Sequence, residues 1–393
     1  MAVPHSFLTR GLSFTHEEPS SVTSTPSSPS SASEDSRESS PAFDSPKPAA
    51  GFDNVVDGEP RTTLQAKDWR APANMHKKTF WERTWSEKLL TSTLMSDNHH
   101  YLKETNRGPV PSQPLWCDHA FLIPTTFAVP VLQHICFMLG WQWSKPVAFV
   151  IYFFGLLFFF QLSALRFDIM GNKYGLFDET FRGRDRIPDE SVDIMGGGIL
   201  MYFIFRVGYN ITFKYDPTVA PLSEFTWTYI LRWQAWFLIM DYFFYAYHRA
   251  THEIDFLWSI HALHHKSKHP TMAHAVLGTH AQHIMEIIII PTLTSYIVPL
   301  SCGEQWVLYL CLAHIETMGH SGIRIHAPCT NTWLSCLPFG AEITIEDHDI
   351  HHRYGKSGKN YGKQTMMWDT VFGTREYRVE TANCPTRWIN DKF

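Results

Sequence analysis

A basic excess is missing from this 393-residue chain: 33 Lys and Arg stand against 38 Asp and Glu, a formal net charge of -5. Nucleic-acid binders carry a basic footprint, so no nucleic-acid partner is expected. The sequence also lacks a GxGxxG fingerprint and a P-loop, which weakens any case for an internal flavin or nicotinamide domain. Its seven cysteines (117, 136, 302, 311, 329, 336 and 384) have neither CxxC spacing nor the density of a secreted disulfide scaffold. That excludes a zinc ribbon and reads as reduced thiols facing cytosol or lipid. No internal repeat is visible. Residues 1–14 lack the continuous apolar core of a secretory signal, so the N-terminus is expected to stay cytosolic, with a later helix acting as the membrane signal.

What is present divides unevenly along the chain. Residues 19–48 hold 20 Ser, Thr or Pro out of 30, with Phe43 the only aromatic, too little apolar surface to offset the entropy of ordering. We read 1–60 as a disordered tail, 61–118 as a cytosolic or interfacial segment, 119–378 as a membrane-embedded domain and 379–393 as a C-terminal tail. In the second of these, Trp81, Trp85 and Leu89 recur at helical spacing, which suits a helix lying on the membrane surface or one packing on the globular part.

Residues 120–141 and 146–165 carry no formal charge and are long enough to cross a hydrocarbon core of about 30 Å. The four residues between them form only a tight hairpin. Lys77, Lys78, Arg83 and Lys88 precede this pair and Arg166, Lys173, Arg182, Arg184 and Arg186 follow it, as the positive-inside rule expects of cytosolic flanks. A weaker pair covers 196–209, interrupted by Arg206, and 226–247, carrying Arg232 and Asp241; such charges should face protein or a polar cavity. A third pair, 284–300 and 305–318, includes Glu286, His314 and Glu316 and returns to the cytosolic side, either by dipping into the membrane or by packing against it. The expected fold is all-α, a polytopic membrane helical bundle with a cytosolic histidine-rich helical cap.

That cap is the most unusual feature. Of 22 His, fifteen fall between His248 and His352. Three clusters stand out: His248-Arg-Ala-Thr-His252, His261-Ala-Leu-His264-His265 and His348-Asp-Ile-His351-His352. Positions i, i+3 and i+4 share a helix face, so each cluster is expected to present its imidazoles toward a common point. Imidazole suits iron, zinc, copper or nickel, and eight ligands exceed what one tetrahedral zinc uses, so two metals are the natural reading. The isolated His134, His314 and His326 are read as polar interface residues.

These boxes, with Leu257-Trp258 ahead of the second, Asn360-Tyr361-Gly362, and Trp368-Asp369 leading to Phe372-Gly373-Thr374, resemble the sterol desaturase and fatty acid hydroxylase superfamily of integral-membrane di-iron enzymes. The resemblance covers about residues 120–378. It implies two iron ions held by His248, His252, His261, His264, His265, His348, His351 and His352. His320, in His320-Ser321-Gly322, and His283, with Glu286 in a segment similar to H-P-x-E, join them; Ile284 replaces the usual proline and makes His280 a rival ligand. It further implies use of O2 and two electrons to remove hydrogen from an unactivated C–H bond. Asp241, Glu346, Asp347 and Asp349 are expected to orient the rings by accepting their distal N–H bonds. No residue is a catalytic base in the usual sense; the metal centre performs the chemistry.

The function expected is an oxygen-dependent lipid hydroxylase or oxidase in the endoplasmic reticulum membrane, acting on a sterol or related polycyclic lipid. His320-Ser321-Gly322, Pro338-Phe339-Gly340-Ala341-Glu342 and the last box look most like the sterol C-4 methyl oxidase branch, while Thr279-His280-Ala281-Gln282-His283 resembles sterol C-5 desaturases. A sphingoid-base or alkyl-lipid hydroxylase also stays open. From other classes, a His-lined metal transporter needs ligands along a path between both faces, and a silent lipid-binding scaffold needs no clustered His. The chain has no HPGG signature of a fused cytochrome b5 domain. Electrons are therefore expected from a separate carrier such as cytochrome b5 with an NAD(P)H-dependent reductase, docked on a basic rim of Lys356, Lys359, Lys363 and Arg375. Deleting residues 1–60 is predicted to leave metal content and turnover of the membrane-inserted protein unchanged; loss of either in a well-expressed deletion variant would contradict the disorder reading.

Overall fold

In the computed structural model, the described residues are 55–56, 59–60, 75, 78–95, 108–177, 185, 187–327, 341–382 and 384. Apart from a pairing of Val55–Val56 with Glu59–Pro60 and isolated bridges, their regular structure is helical. The rest of the tail expected over 1–60 lies outside the described residues, as do Pro338, Phe339 and Gly340 and most of 379–393. Three helices among those described are long and apolar enough to cross a membrane: Trp116–Met138, Lys145–Tyr174 and Asp189–Phe213. They correspond to α2 (Leu115–Met138), α3 (Lys145–Tyr174) and α4 (Val192–Phe213), following a short α1 (Trp85–Thr93). The molecule is the all-α membrane bundle that the sequence predicts.

Local chemistry explains how these helices tolerate their breakers. Gly140, at φ 85°, makes the tight turn between α2 and α3 in a backbone region that few side chains accept. Inside α2, Pro130 has no N–H for the carbonyl four residues back, that of Thr126. The indole of Trp306 donates to that carbonyl instead, at 3.0 Å. Replacing a lost backbone bond from a neighbouring helix is how spanning helices accommodate proline.

The remaining helices are α5 (Thr228–Glu253), α6 (Asp255–His261), α7 (His280–His283), which continues through a π-helical Ile284–Ile289 into α8 (Ile290–Ile297), α9 (Cys302–Gly319), α10 (Ile345–Tyr354) and α11 (Met367–Val371). The segment 305–318, expected to dip into or lie against the membrane, belongs to α9. That helix is the hub of the bundle, buried over almost its whole length and packed by α2, α3, α4 and α10. A helix surrounded on every side reads as apolar all round, which is why its sequence resembles a short span. Its charges find partners: Glu304 binds Arg232 of α5, with Nη1 to Oε2 at 2.8 Å. Asp241 and Arg206 are likewise buried within protein, as the cost of intramembrane charge requires.

α1 packs on α4, but not through the expected stripe. Its buried residues are Ser86, Glu87, Leu90 and Thr93, while Trp81 and Trp85 are 83% and 56% exposed. Close approach depends on Gly196, where an added Cβ would meet Ser86 Cβ at 2.6 Å and its Cα at 2.9 Å. Backbone cannot swing aside, so Gly196→Ala is predicted to destabilise the protein by about 1–3 kcal/mol. Gly208→Ala, whose Cβ meets only Phe149 at 3.8 Å, should cost nothing and gain helix propensity. Unfolding titrations in mixed micelles compare the two; equal stability would contradict the packing described.

Candidate metal centre

Every histidine of the three boxes is buried, and the rings divide into two groups. His248, His252, His261, His265 and His351 form one; His264, His320, His348 and His352 form the other, with candidate ligand atoms in each group within 4.8 Å of one another. The expectation that each box serves one point is corrected. Residues four apart on a helix differ by roughly 40° in direction, whereas the residue at i+3 lies about 60° to the other side. So His348 and His352 stay together while His351 crosses to the first group, and His261 and His265 stay together while His264 crosses to the second. Two boxes thereby stitch the groups to each other.

Ring orientation is set by backbone carbonyls. Nδ1–H donates to Tyr361 O from His248 at 2.8 Å, to Lys356 O from His252 at 3.1 Å and to Leu277 O from His264 at 2.8 Å. It donates to Glu316 O from His320 at 2.7 Å, to Lys359 O from His351 at 2.7 Å and to Ser267 O from His352 at 3.0 Å. A carbonyl only accepts, so these six rings carry the proton on Nδ1 and, when neutral, a lone pair on Nε2. The Nε2 atoms of His252, His351 and His352 have no protein partner, and those of His264 and His320 face each other at 3.3 Å. Two lone pairs at that distance repel unless a cation lies between them. Burial first, and neighbouring rings and lysines second, depress the imidazole pKa values; that of His320 falls to about 4 and those of His264, His348 and His352 go well below 6.5. The rings are thus held in the neutral form that binds a transition metal, and the donor set fits iron.

Carboxylates act one step further out than expected. Asp241, Glu346 and Asp347 do not accept from the rings; Asp241 braces the loop that follows Tyr361, and Glu346 and Asp347 brace the last box and the chain after it. Asp241 accepts from the backbone of Lys363 and Gln364 and from Thr365 Oγ1, at 3.2, 2.8 and 2.6 Å. Asp369, which the sequence reading passed over although it stands in the Trp368-Asp369 motif, accepts from Tyr361 N, Gly362 N and Thr374 Oγ1 at 2.8, 2.7 and 2.7 Å. Asn360, left-handed at φ 64°, ties the same loop to Asp347 O and Glu376 N. Asp347 caps α10 through Thr344 and binds Arg378, Glu346 accepts the backbone N–H groups of residues 379–381, and Asp349 accepts from Arg353 at 3.1 Å. The segment expected as a tail from 379 is therefore bound to the last box at its start.

His283 and His280 stand outside both groups. The His283 ring donates from Nε2 to Val276 O at 3.1 Å and lies against Gly198, and His280 is exposed. His314 sits between Phe121 and Phe167, away from either group. Lys363, expected on a basic rim, is 3% exposed; its Nζ reaches Glu316 at 2.7 Å and Glu286 at 3.9 Å. Glu286 and Glu316 also line an apolar cleft whose empty space, open mouth included, is about 780 Å³. Phe160, Phe203, Met240, Phe244, Ile287 and Leu312 line it, and Glu316 on its wall supplies the carbonyl that orients His320.

The family profile described as fatty acid hydroxylase matches residues 233–374. The chain is 31% identical over 268 residues to the fatty acid hydroxylase vlmA of Lecanicillium sp, covering 64% of this chain and 69% of that protein. It is 25% identical over 203 residues to the alkylglycerol monooxygenase of Homo sapiens, covering 50% and 42% of the two chains. It is 31% identical over 235 residues to the very-long-chain aldehyde decarbonylase GL1-8 of Oryza sativa subsp. japonica, covering 57% and 83%. No solved structure matches. The chain belongs to the fatty acid hydroxylase family, within the sterol desaturase and fatty acid hydroxylase superfamily, and is an oxidoreductase of the membrane hydroxylase kind.

Because Asp369 holds the loop that orients His248, Asp369→Ala is predicted to weaken metal retention about 10–100-fold without removing a ligand. Chelator competition measures this, with Glu253→Gln, in an exposed pair with Arg249, as the variant that leaves retention unchanged. Equal retention in all three proteins would contradict the support role.

Proposed function

We propose that the chain is a non-haem di-iron hydroxylase that uses O2 and two electrons to oxidise a long-chain lipid. One iron is assigned to His248, His252, His261, His265 and His351, and the other to His264, His320, His348 and His352. The observation that carries this reading is the convergence of neutral imidazole lone pairs beside an apolar cleft. When bound, the irons supply activation of O2 and removal of hydrogen from an unactivated C–H bond. The protein's part is to hold the rings in one tautomer, exclude water with Phe244 and Leu312, and align the lipid along the cleft. Overall, one C–H bond becomes C–OH, and the second oxygen atom leaves as water with two protons and two electrons from outside.

Substrate choice follows the relatives, whose names carry fatty acid, alkylglycerol and very-long-chain aldehyde. A single-chain lipid is therefore preferred here to the sterol expected from the box patterns. We assign the protein to the endoplasmic reticulum membrane with the boxes and both termini cytosolic, where a carrier such as cytochrome b5 has access. Lys356 and Lys359 offer it an exposed basic edge without Lys363. A transporter reading is disfavoured because all nine clustered rings gather in one region.

The test is turnover in nanodiscs with NADH, reductase, cytochrome b5 and isotopically labelled O2. Fatty acids and alkylglycerols should gain one labelled oxygen only when reductase and carrier are both present. Unlabelled product, or label incorporated into sterols alone, would overturn the proposal.

A further inference from the structure

Arg206 lies in a membrane-spanning helix and is 4% exposed, on the wall of the apolar cleft. Its guanidinium carbon sits 4.3 Å from the ring centroid of Tyr309 and 5.1 Å from that of Tyr202. Ring faces attract the charge, and the Tyr202 hydroxyl lies within reach of part of the guanidinium, but neither tyrosine satisfies all of its N–H groups. Nε and Nη1 are left without a hydrogen-bond partner, and no carboxylate among the described residues pairs with this side chain. The nearby acids are committed elsewhere, Glu304 to Arg232 and Glu316 to Lys363. A buried cation with unmet donors is strongly unfavourable, and an ionisable group inside a span marks a functional site.

We propose that Arg206 is the headgroup anchor of the cleft, taking the carboxylate of a long-chain fatty acid. A guanidinium presents a planar fork that matches a carboxylate with two parallel N–H···O bonds, and the flanking phenyl, isoleucine and leucine side chains suit only the alkyl tail. This rests on the reading of the cleft as a lipid site and adds the class of headgroup and the orientation of the chain. Orientation has a chemical consequence. Tyr309, which stacks on Arg206, precedes His320 on the same helix by eleven positions, about 16 Å at 1.5 Å per residue. A carboxylate on Arg206 therefore presents carbons far along the chain to the metal groups, not the carbon beside the carboxylate. Arg206 is a specificity-determining residue that touches substrate remote from the reacting atom.

Binding of radiolabelled palmitate, hexadecanol and methyl palmitate to the full-length protein in nanodiscs tests this without requiring turnover. Wild type should bind palmitate at least tenfold more tightly than the alcohol or the ester. Arg206→Gln should erase that preference, and Arg206→Lys should restore only part of it. Metal content should be unchanged in both variants, because neither touches a histidine group. Equal binding of acid and ester by wild type overturns the proposal whatever the variants do, as does undiminished acid preference in Arg206→Gln. If turnover is detected, a product hydroxylated next to the carboxylate also overturns it. Acid-selective binding without labelled product would instead leave the anchor standing and remove the oxygenase reading.

Discussion

Six imidazole N–H groups donated to six backbone carbonyls set the conditions for everything else in this molecule. Each bond fixes one tautomer and turns a lone pair inward. Because burial keeps the rings neutral, the opposed lone pairs of His264 and His320 repel unless a cation lies between them.

Holding carbonyls in place requires loops that behave as rigidly as helices. The buried carboxylates do this: Asp241 and Asp369 each gather three donors from 361–374, and Glu346 gathers the chain that follows. Satisfied so completely, a buried carboxylate stiffens its surroundings, whereas a half-satisfied one would be a liability. The bundle supplies the other boundary. α9 carries His320 at its end and lines the cleft with Leu312, Ala313, Glu316 and Thr317, so the wall of the cleft and one histidine group share a helix.

Much of this was legible from residue spacing. The boxes announced themselves by their i, i+3 and i+4 intervals, and the charged interruptions were rightly expected to face protein: Arg206 and Asp241 are buried and Arg232 is paired with Glu304. The division of the rings was not legible, because a shared face resolves into two directions only when the helix and the turn at 264–266 are placed together. Carboxylates beside a box invite the role of ring acceptor, yet sequence does not reveal that carbonyls from 277, 356, 359 and 361 arrive first. Lys363 was misread as surface because charge in a short loop looks solvated until its partners, Glu316 and Glu286, come from elements about fifty and eighty positions away. Similarly, Trp81 and Trp85 recur at helical spacing, yet Trp81 lies in the turn ahead of α1, and α1 packs by Ser86 and Leu90, with Ser86 against a glycine that only tertiary contact explains.

The central claim is that two separate histidine groups each hold one iron. The most direct measurement is iron stoichiometry per chain, by elemental analysis of protein produced under reducing, iron-replete conditions, in wild type and in His348→Ala and His252→Ala. Wild type should hold about two irons and each variant about one, with the remaining iron in the group left intact. One iron or none in active wild-type protein, or simultaneous loss of both from each variant that still folds in the membrane, would contradict it.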